Sequence, residues 1–225
     1  MQYREVVDLS VALGGPQVTV LAGAPKIVME PVHTHEKHGR SNTKLSYNIH
    51  TGTHVDCPRH FYPDGTSIDE MPLEKYMGSA IRLDLRDVAK ERTAISLEDV
   101  LAALPRGADV RDAILVFNTG WIHSAGGKPN FYLDNPYLSL ETARWLVAMQ
   151  VRAIALDTSV DEAPATPPQH GDSPIHRMLL GGGVMIIENL TNLERLPPTG
   201  FYLMALPVKI YGGDGAPARA VAFIE

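Results

Sequence analysis

From residue 4 to residue 13, Val6, Val7, Leu9, Val11 and Leu13 nearly alternate with polar side chains, the period-two pattern of a half-buried strand, and Gly14, Gly15 and Pro16 end it. Runs at 18–21, 27–32 and 45–50 predict further strands, the first two separated by a Gly-Ala-Pro break. The polar stretch 33–44 carries His33, His35 and His38 and reads as a solvated loop. Alternation returns over 80–85. Ser96 stands before Val100, Leu101 and Leu104, with Pro105 as the stop, and predicts an N-capped amphipathic helix. Ser139 predicts a second one, bearing Leu140, Ala143, Leu146, Val147 and Met149. Unbroken apolar runs at 113–118, 153–156 and 184–187 predict buried strands, the last running into Glu188 and Asn189. The Gly, Asn and Pro-rich stretch 122–135 predicts a loop long enough to shape a pocket, and 164–171 predicts another loop. Ser173-Pro174 predicts the capped start of a helix that carries His176 and stops at the glycines 181–183. The last strands are expected at 201–206 and 219–224, joined by Gly212-Gly213-Asp214-Gly215.

Length and composition narrow the picture. At 225 residues and 44% hydrophobic content the chain suits one domain spanning residues 1–225. A net charge of −6 and no dense Lys/Arg run argue against a nucleic-acid partner. No apolar run approaches the roughly 20 residues that span a bilayer, and the charged start MQYREVVDLS is unlike a signal peptide, so a cytoplasmic protein without a membrane partner is expected. The single cysteine, Cys57, excludes an intrachain disulfide and reads as a small buried side chain rather than a nucleophile or ligand.

The densest chemistry lies between His50 and His60, where His50, His54, Asp56 and His60 fall within eleven residues. Fully extended, that stretch would span roughly 33 Å, so a single site requires it to bend, and Gly52 and Pro58 are suited to bending it. His50 and His54 suit one face of a helical turn, and His54 and Asp56 one face of a strand; both arrangements converge donors. Imidazoles and carboxylates suit zinc, and also manganese or iron, with about four to six donors per site. The stretch offers up to four, so others must come from a distance. His176 and Glu188 are the candidates, Glu188 because a carboxylate at the end of a buried strand is costly without a cation or donors. Asp157-Thr158-Ser159, at the end of another buried strand, reads either as part of a site or as a turn satisfying its own backbone.

The pattern His-x-Gly-Thr-His-x-Asp-x-Pro-x-His-Phe resembles the signature of the cyclase-like metal-dependent hydrolases, which include bacterial kynurenine formamidases and isatin hydrolases. The resemblance extends through Asp157-Thr158-Ser159, Pro174-x-His176, Glu188-Asn-Leu-x-Asn192-Leu193 and Gly212-Gly-Asp-Gly. It implies an α/β domain around a mixed sheet with flanking helices, of the swivelling β/α/β type, assembled as a homo-oligomer, dimer or tetramer. It also implies a divalent metal, zinc foremost and manganese as the alternative, as one or two ions. His50, His54 and Asp56 would hold one ion; Asp56 and Glu188 would bridge to a second held by His176; His60 would be the general acid/base. The expected substrate is a small molecule with an amide, imide, ester or lactone carbonyl. An isatin-hydrolase-like enzyme with one manganese, and a non-catalytic metal-stabilised binding protein, are the alternatives. The formamidases carry an aromatic wall near the N-terminus, whereas 18–26 here holds no aromatic residue. Phe61, Trp121, Phe131 and Tyr132 remain as pocket walls or core packing.

Overall fold

The computed structural model describes residues 3–163, 169 and 171–225, and the loop expected over 164–171 falls almost entirely outside them. Its strands are β1 (Glu5–Asp8), β2 (Val28–His33), β3 (Asn42–Ser46), β4 (His54–Asp56), β5 (Met77–Asp84), β6 (Ala94–Ile95) and β7 (Ile114–Asn118). They continue as β8 (Tyr137–Leu138), β9 (Ala153–Leu156), β10 (Met185–Glu188), β11 (Phe201–Met204), β12 (Gly215–Pro217) and β13 (Val221–Ile224). Nine form one sheet in the order β1-β13-β11-β5-β7-β9-β10-β4-β12. The central run β5-β7-β9-β10 is parallel and both flanks are antiparallel, so the sheet is mixed, as expected.

Local sequence explains this division. Every residue of β7, β9 and β10 is buried, which is why these strands read as unbroken apolar runs rather than as alternation. Towards the first flank, β11 and β13 bury alternate residues. Helix α2 (Leu97–Ala103) starts with a capping box between Ser96 and Asp99, and α4 (Leu140–Ala148) starts with Ser139 accepting from the Thr142 N–H. α1 (His35–His38) precedes both and α3 (Trp121–Ala125) lies between them; α5 (Pro174–Gly181) follows and packs against α4. The main core runs from Val7 to Ile224, and a smaller cluster joins Val11, Trp121, Ile122, Ala125 and Phe131.

Several local expectations change. The 18–21 run makes no strand; the Thr19 hydroxyl is bonded at 127–128 instead, and Val18 packs on the smaller cluster. The 33–44 stretch is not a loop throughout. Thr34 caps α1, Gly39 takes a left-handed conformation, and the chain returns as β3 against β2, with His38 Nδ1 accepting from the Thr34 N–H. The strand expected over 45–50 lies earlier, over 42–46, so only 45–46 of the expected run is in a ladder. The 122–135 stretch begins inside α3. Ser173 precedes α5 but does not cap it: its φ is 62° and its side chain makes no cap bond. Among the described residues no helix is long and apolar enough to cross a membrane.

Candidate metal centre

Strand β4 carries His54 and Asp56 to one face of the sheet by its two-residue period. Its neighbours complete the placement. Antiparallel pairing sets Glu188 opposite His54 from β10, and Gly215 opposite Asp56 from β12. The strand reading of the His54/Asp56 pair is thus the one the fold adopts. His50 reaches the same place from a turn bent at Gly52, where φ is 74°. His60 ends a single 3-10 turn begun by Pro58, and His176 sits in the first turn of α5. All six residues line one cavity of about 140 Å³.

Asp56 is the centre of the arrangement. Donor atoms of His50, His54 and Asp56 lie within 4.8 Å of one another, and so do those of Asp56, His176 and Glu188 and those of His50, His60 and Asp214. Asp56 Oδ1 is 2.8 Å from His50 Nδ1 and 3.5 Å from His54 Nε2, while Oδ2 is 3.5 Å from His176 Nε2. Glu188 Oε1 accepts from the Val160 N–H and stands 3.4 Å from His176 Nε2; Oε2 is 3.8 Å from His54 Nε2.

The second ring nitrogens fix which atoms face inward. His54 Nδ1 donates to the Gly52 carbonyl at 2.8 Å, and His176 Nδ1 to Asp161 Oδ2 at 2.6 Å, so each leaves Nε2 turned toward Asp56 and Glu188. Metal-binding imidazoles need this arrangement, in which an outer acceptor holds one nitrogen and frees the other as a lone pair. Asp161 does more than orient the ring. Its carboxylate also accepts from the backbone N–H groups of Ile175 and His176, supplying from a distance the cap that Ser173 does not.

These residues fit a divalent ion. Asp56 is fully buried and its Oδ2 has no hydrogen-bond partner among the described residues, a costly state that a cation relieves. Burial pushes the Asp56 carboxyl up, but the His54 charge and the His176 and His50 contacts hold it well below the usual range. Burial works against the charged form of His176, yet its bonds to Asp161, Asp56 and Glu188 raise it well above an ordinary imidazole. Burial likewise opposes charge on His50, which Asp214 and Asp56 nonetheless raise to about 10. Asp56, Glu188, Asp161 and Asp214 thus hold two imidazoles in the protonated form, the electrostatic condition that favours a cation in their place.

His60 behaves differently. Burial lowers it to about 4, with the Asp56 charge opposing, so it is a neutral imidazole at pH 7. Its ring stacks on His50 at 4.0 Å and 19°. Cys57 is buried and its thiol is pushed up to about 11 by burial, an inert side chain rather than a nucleophile.

Of the four aromatic candidates, Phe61 and Tyr132 line the cavity, while Trp121 and Phe131 belong to the smaller core, joined by a bond from the indole N–H to the Phe131 carbonyl. Leu21 supplies the wall from the segment without aromatics. Asp157 accepts from the Thr119 N–H and hydroxyl and is not among the cavity's lining residues, whereas Ser159 of the same stretch lines it. Sequence reasoning assigned no role to Asp161 or Asp214. Both stood inside motifs already noticed, four residues beyond Asp157 and within the Gly-rich turn; what was lacking was the partner histidine each one faces.

The Cyclase family model matches residues 7–162, more than two thirds of the chain. The chain belongs to the cyclase family. Among its cyclase-family relatives, the kynurenine formamidase of Bacillus cytotoxicus is 30% identical over 98% of each chain. That of Salinibacter ruber is 33% identical over 79% of this chain and 77% of its own. The structure of isatin hydrolase A from Labrenzia aggregata bound to benzyl benzoate superposes with a TM-score of 0.84 at 28% identity, covering 98% of this chain and 93% of that one. Fold class and family agree with the sequence reading.

Proposed function

We propose that this cyclase-family chain hydrolyses a small amide, imide or lactone carbonyl in the manner of an arylformamidase, with His50, His54, Asp56, His176 and Glu188 as metal ligands and His60 as general acid/base. It is a metal-dependent hydrolase acting on non-peptide C–N amide bonds. The observation that carries the residue assignment is the buried Asp56 carboxylate, shared by the His50/His54 and the His176/Glu188 donor groups and with one oxygen unsatisfied among the described residues.

When bound, a divalent ion supplies Lewis acidity, polarising a carbonyl and lowering the pKa of water from about 15.7 to about 7. The residues supply the rest. Neutral His60 accepts a proton from the attacking water and returns it to the leaving nitrogen as the C–N bond breaks, giving a carboxylic acid and an amine. Leu21, Phe61 and Tyr132 offer the apolar wall for the substrate body. Zinc is the ion we assign first, because the donor set is imidazole and carboxylate. A homo-oligomer belongs to this reading, supported by Val28, Met29, Val32 and Leu45 exposed on the β2–β3 hairpin, and so does a cytoplasmic location.

A second reading, one ion in an isatin-hydrolase-like centre, is favoured by a separate observation. Both His50 nitrogens already face carboxylates, Asp56 and Asp214, which leaves His54, Asp56, His176 and Glu188 as a four-donor set. Metal quantification coupled to a hydrolysis panel of N-formyl aryl amines, isatin-like imides and lactones decides between them. One or two equivalents of zinc or manganese with turnover are expected. A protein that neither holds nor takes up metal overturns the hydrolase reading, and metal without turnover makes it a metal-stabilised binding protein.

A further inference from the structure

Asp214 is not one of the five ligands proposed above, yet it faces two of the site's histidines, and its carboxylate lies within 4.8 Å of donor atoms of both. Its Oδ2 lies 2.9 Å from His50 Nε2 and 3.5 Å from His60 Nδ1. The two rings are stacked, so one carboxylate oxygen addresses the edge of the pair. The turn that carries it is tightly held. Ile68 N–H donates to the Gly213 carbonyl, Gly212 N–H to Asp69 Oδ1, and Cys57 N–H to the Asp214 carbonyl. Both flanking glycines are required by space. A Cβ on Gly213 would come within 2.9 Å of Ile68 Cγ2, and one on Gly215 within 2.7 Å of the Val55 carbonyl and 2.9 Å of His50 Cε1. The backbone is therefore pressed against β4, and the carboxylate is presented from a fixed position.

We propose that Asp214 is a positioning residue that keeps a proton on His50 Nε2 and sets the tautomer of His60. An imidazole nitrogen facing a carboxylate is favoured as N–H and disfavoured as a lone pair, because the latter sets two electron-rich atoms against each other. His50 then holds an N–H at Nε2, and its Nδ1, which faces Asp56 at 2.8 Å, is the nitrogen whose proton a bound ion would replace. His60 carries its proton on Nδ1 and keeps the Nε2 lone pair for the water proton. At 3.5 Å the His60 contact is longer than a hydrogen bond and acts by orienting the ring's dipole. The same oxygen thereby links a metal ligand to the proton acceptor. This inference rests on the hydrolase reading of the site, but its first readout does not need turnover.

The test uses protein with 15N-labelled histidine, with and without added zinc, and follows the ring nitrogens by NMR, the His60 signals being assigned by their loss in His60→Ala. The expected wild-type result is Nδ1–H and an unprotonated Nε2 for His60. Asp214→Asn keeps the shape and removes the charge, and its amide can donate, so the His60 preference is expected to weaken or reverse. Zinc content should be unchanged, and kcat should fall by about 10–100-fold while KM moves by less than about threefold. Asp214→Ala serves if the amide variant folds poorly by circular dichroism. Finding His60 protonated on Nε2 in the wild type overturns the proposal. An unchanged His60 tautomer in both variants does the same, and loss of one zinc equivalent would make Asp214 a ligand instead. Absence of any turnover with the expected tautomers would count against the hydrolase reading alone.

Discussion

Asp161 and His176 are joined at 2.6 Å through Nδ1, and the same carboxylate holds the first two backbone N–H groups of the helix on which His176 rides. Ligand orientation and helix capping are thus one interaction. Asp161→Ala should cost about 3 kcal/mol of stability, the range for breaking a buried charge pair, and should weaken zinc binding by about 10–100-fold. Denaturant unfolding and competition with a chromogenic chelator measure the two effects; wild-type zinc affinity in a folded variant would refute the orienting role.

His60 and Asp56 should separate cleanly. His60→Ala is expected to retain metal while lowering kcat by about 10²–10⁴-fold, the usual worth of general acid/base catalysis. Asp56→Ala should lose the metal itself. Atomic absorption on the purified variants, paired with turnover, checks both, and undiminished kcat in the His60 variant would remove its catalytic role.

Chelator-treated protein should be most stable near pH 6.5, because His60, lowered to about 4, withdraws stability as pH falls from its unfolded value of about 6.5 toward 4. His50 is raised to about 10, so its contribution is complete below the unfolded value of about 6.5 and is lost as pH rises through 10. Asp214 is lowered to about 2, chiefly by its bond to His50, so its contribution is present above the unfolded value of about 3.9 and is lost as pH falls through 2. Melting temperature against pH reports this directly. A melting temperature that climbs from pH 6.5 to 9 would contradict the His50 assignment.

Gly215→Ala tests how closely β12 must approach β4. The added methyl meets the Val55 carbonyl and the His50 ring, so about 1–3 kcal/mol of destabilisation is expected, as for other overpacked sites. Metal content should fall with it because His50 is displaced. Thermal melts and metal analysis of the variant would show otherwise if the sheet edge simply shifts.

The surface assignment can be checked on the hairpin. Met29 is 59% exposed, and Met29→Lys should shift the assembly toward smaller species if copies of the chain meet there. Light scattering coupled to size exclusion gives the mass; an unaltered mass would move the interface elsewhere.

How much of this was legible in the chain follows the range of the forces involved. The buried strands β7, β9 and β10 were readable because each is apolar throughout, and α2 and α4 because their caps lie within four residues. The ligand candidates were readable because most of them crowd into one stretch. Strand β12 was not, since Gly215–Pro217 becomes a strand only by lying against β4. The cap of α5 looked local, but Asp161 reaches over from beyond β9 and Ser173 is left with a positive φ. The 18–21 run had the composition of a strand and no edge to pair with.

The placement of β4 between β10 and β12 has a consequence for biosynthesis. His50, His54 and Asp56 are synthesised early, yet the strands that flank β4 and the residues that face these three, Glu188, His176 and Asp214, all come from the last quarter of the chain. The first half brings the His50, His54 and Asp56 donors by itself, whereas the group formed by Asp56, His176 and Glu188 is completed only by the last quarter of the chain. A chain truncated before β12 lacks the strand that pairs with Asp56 at the sheet edge.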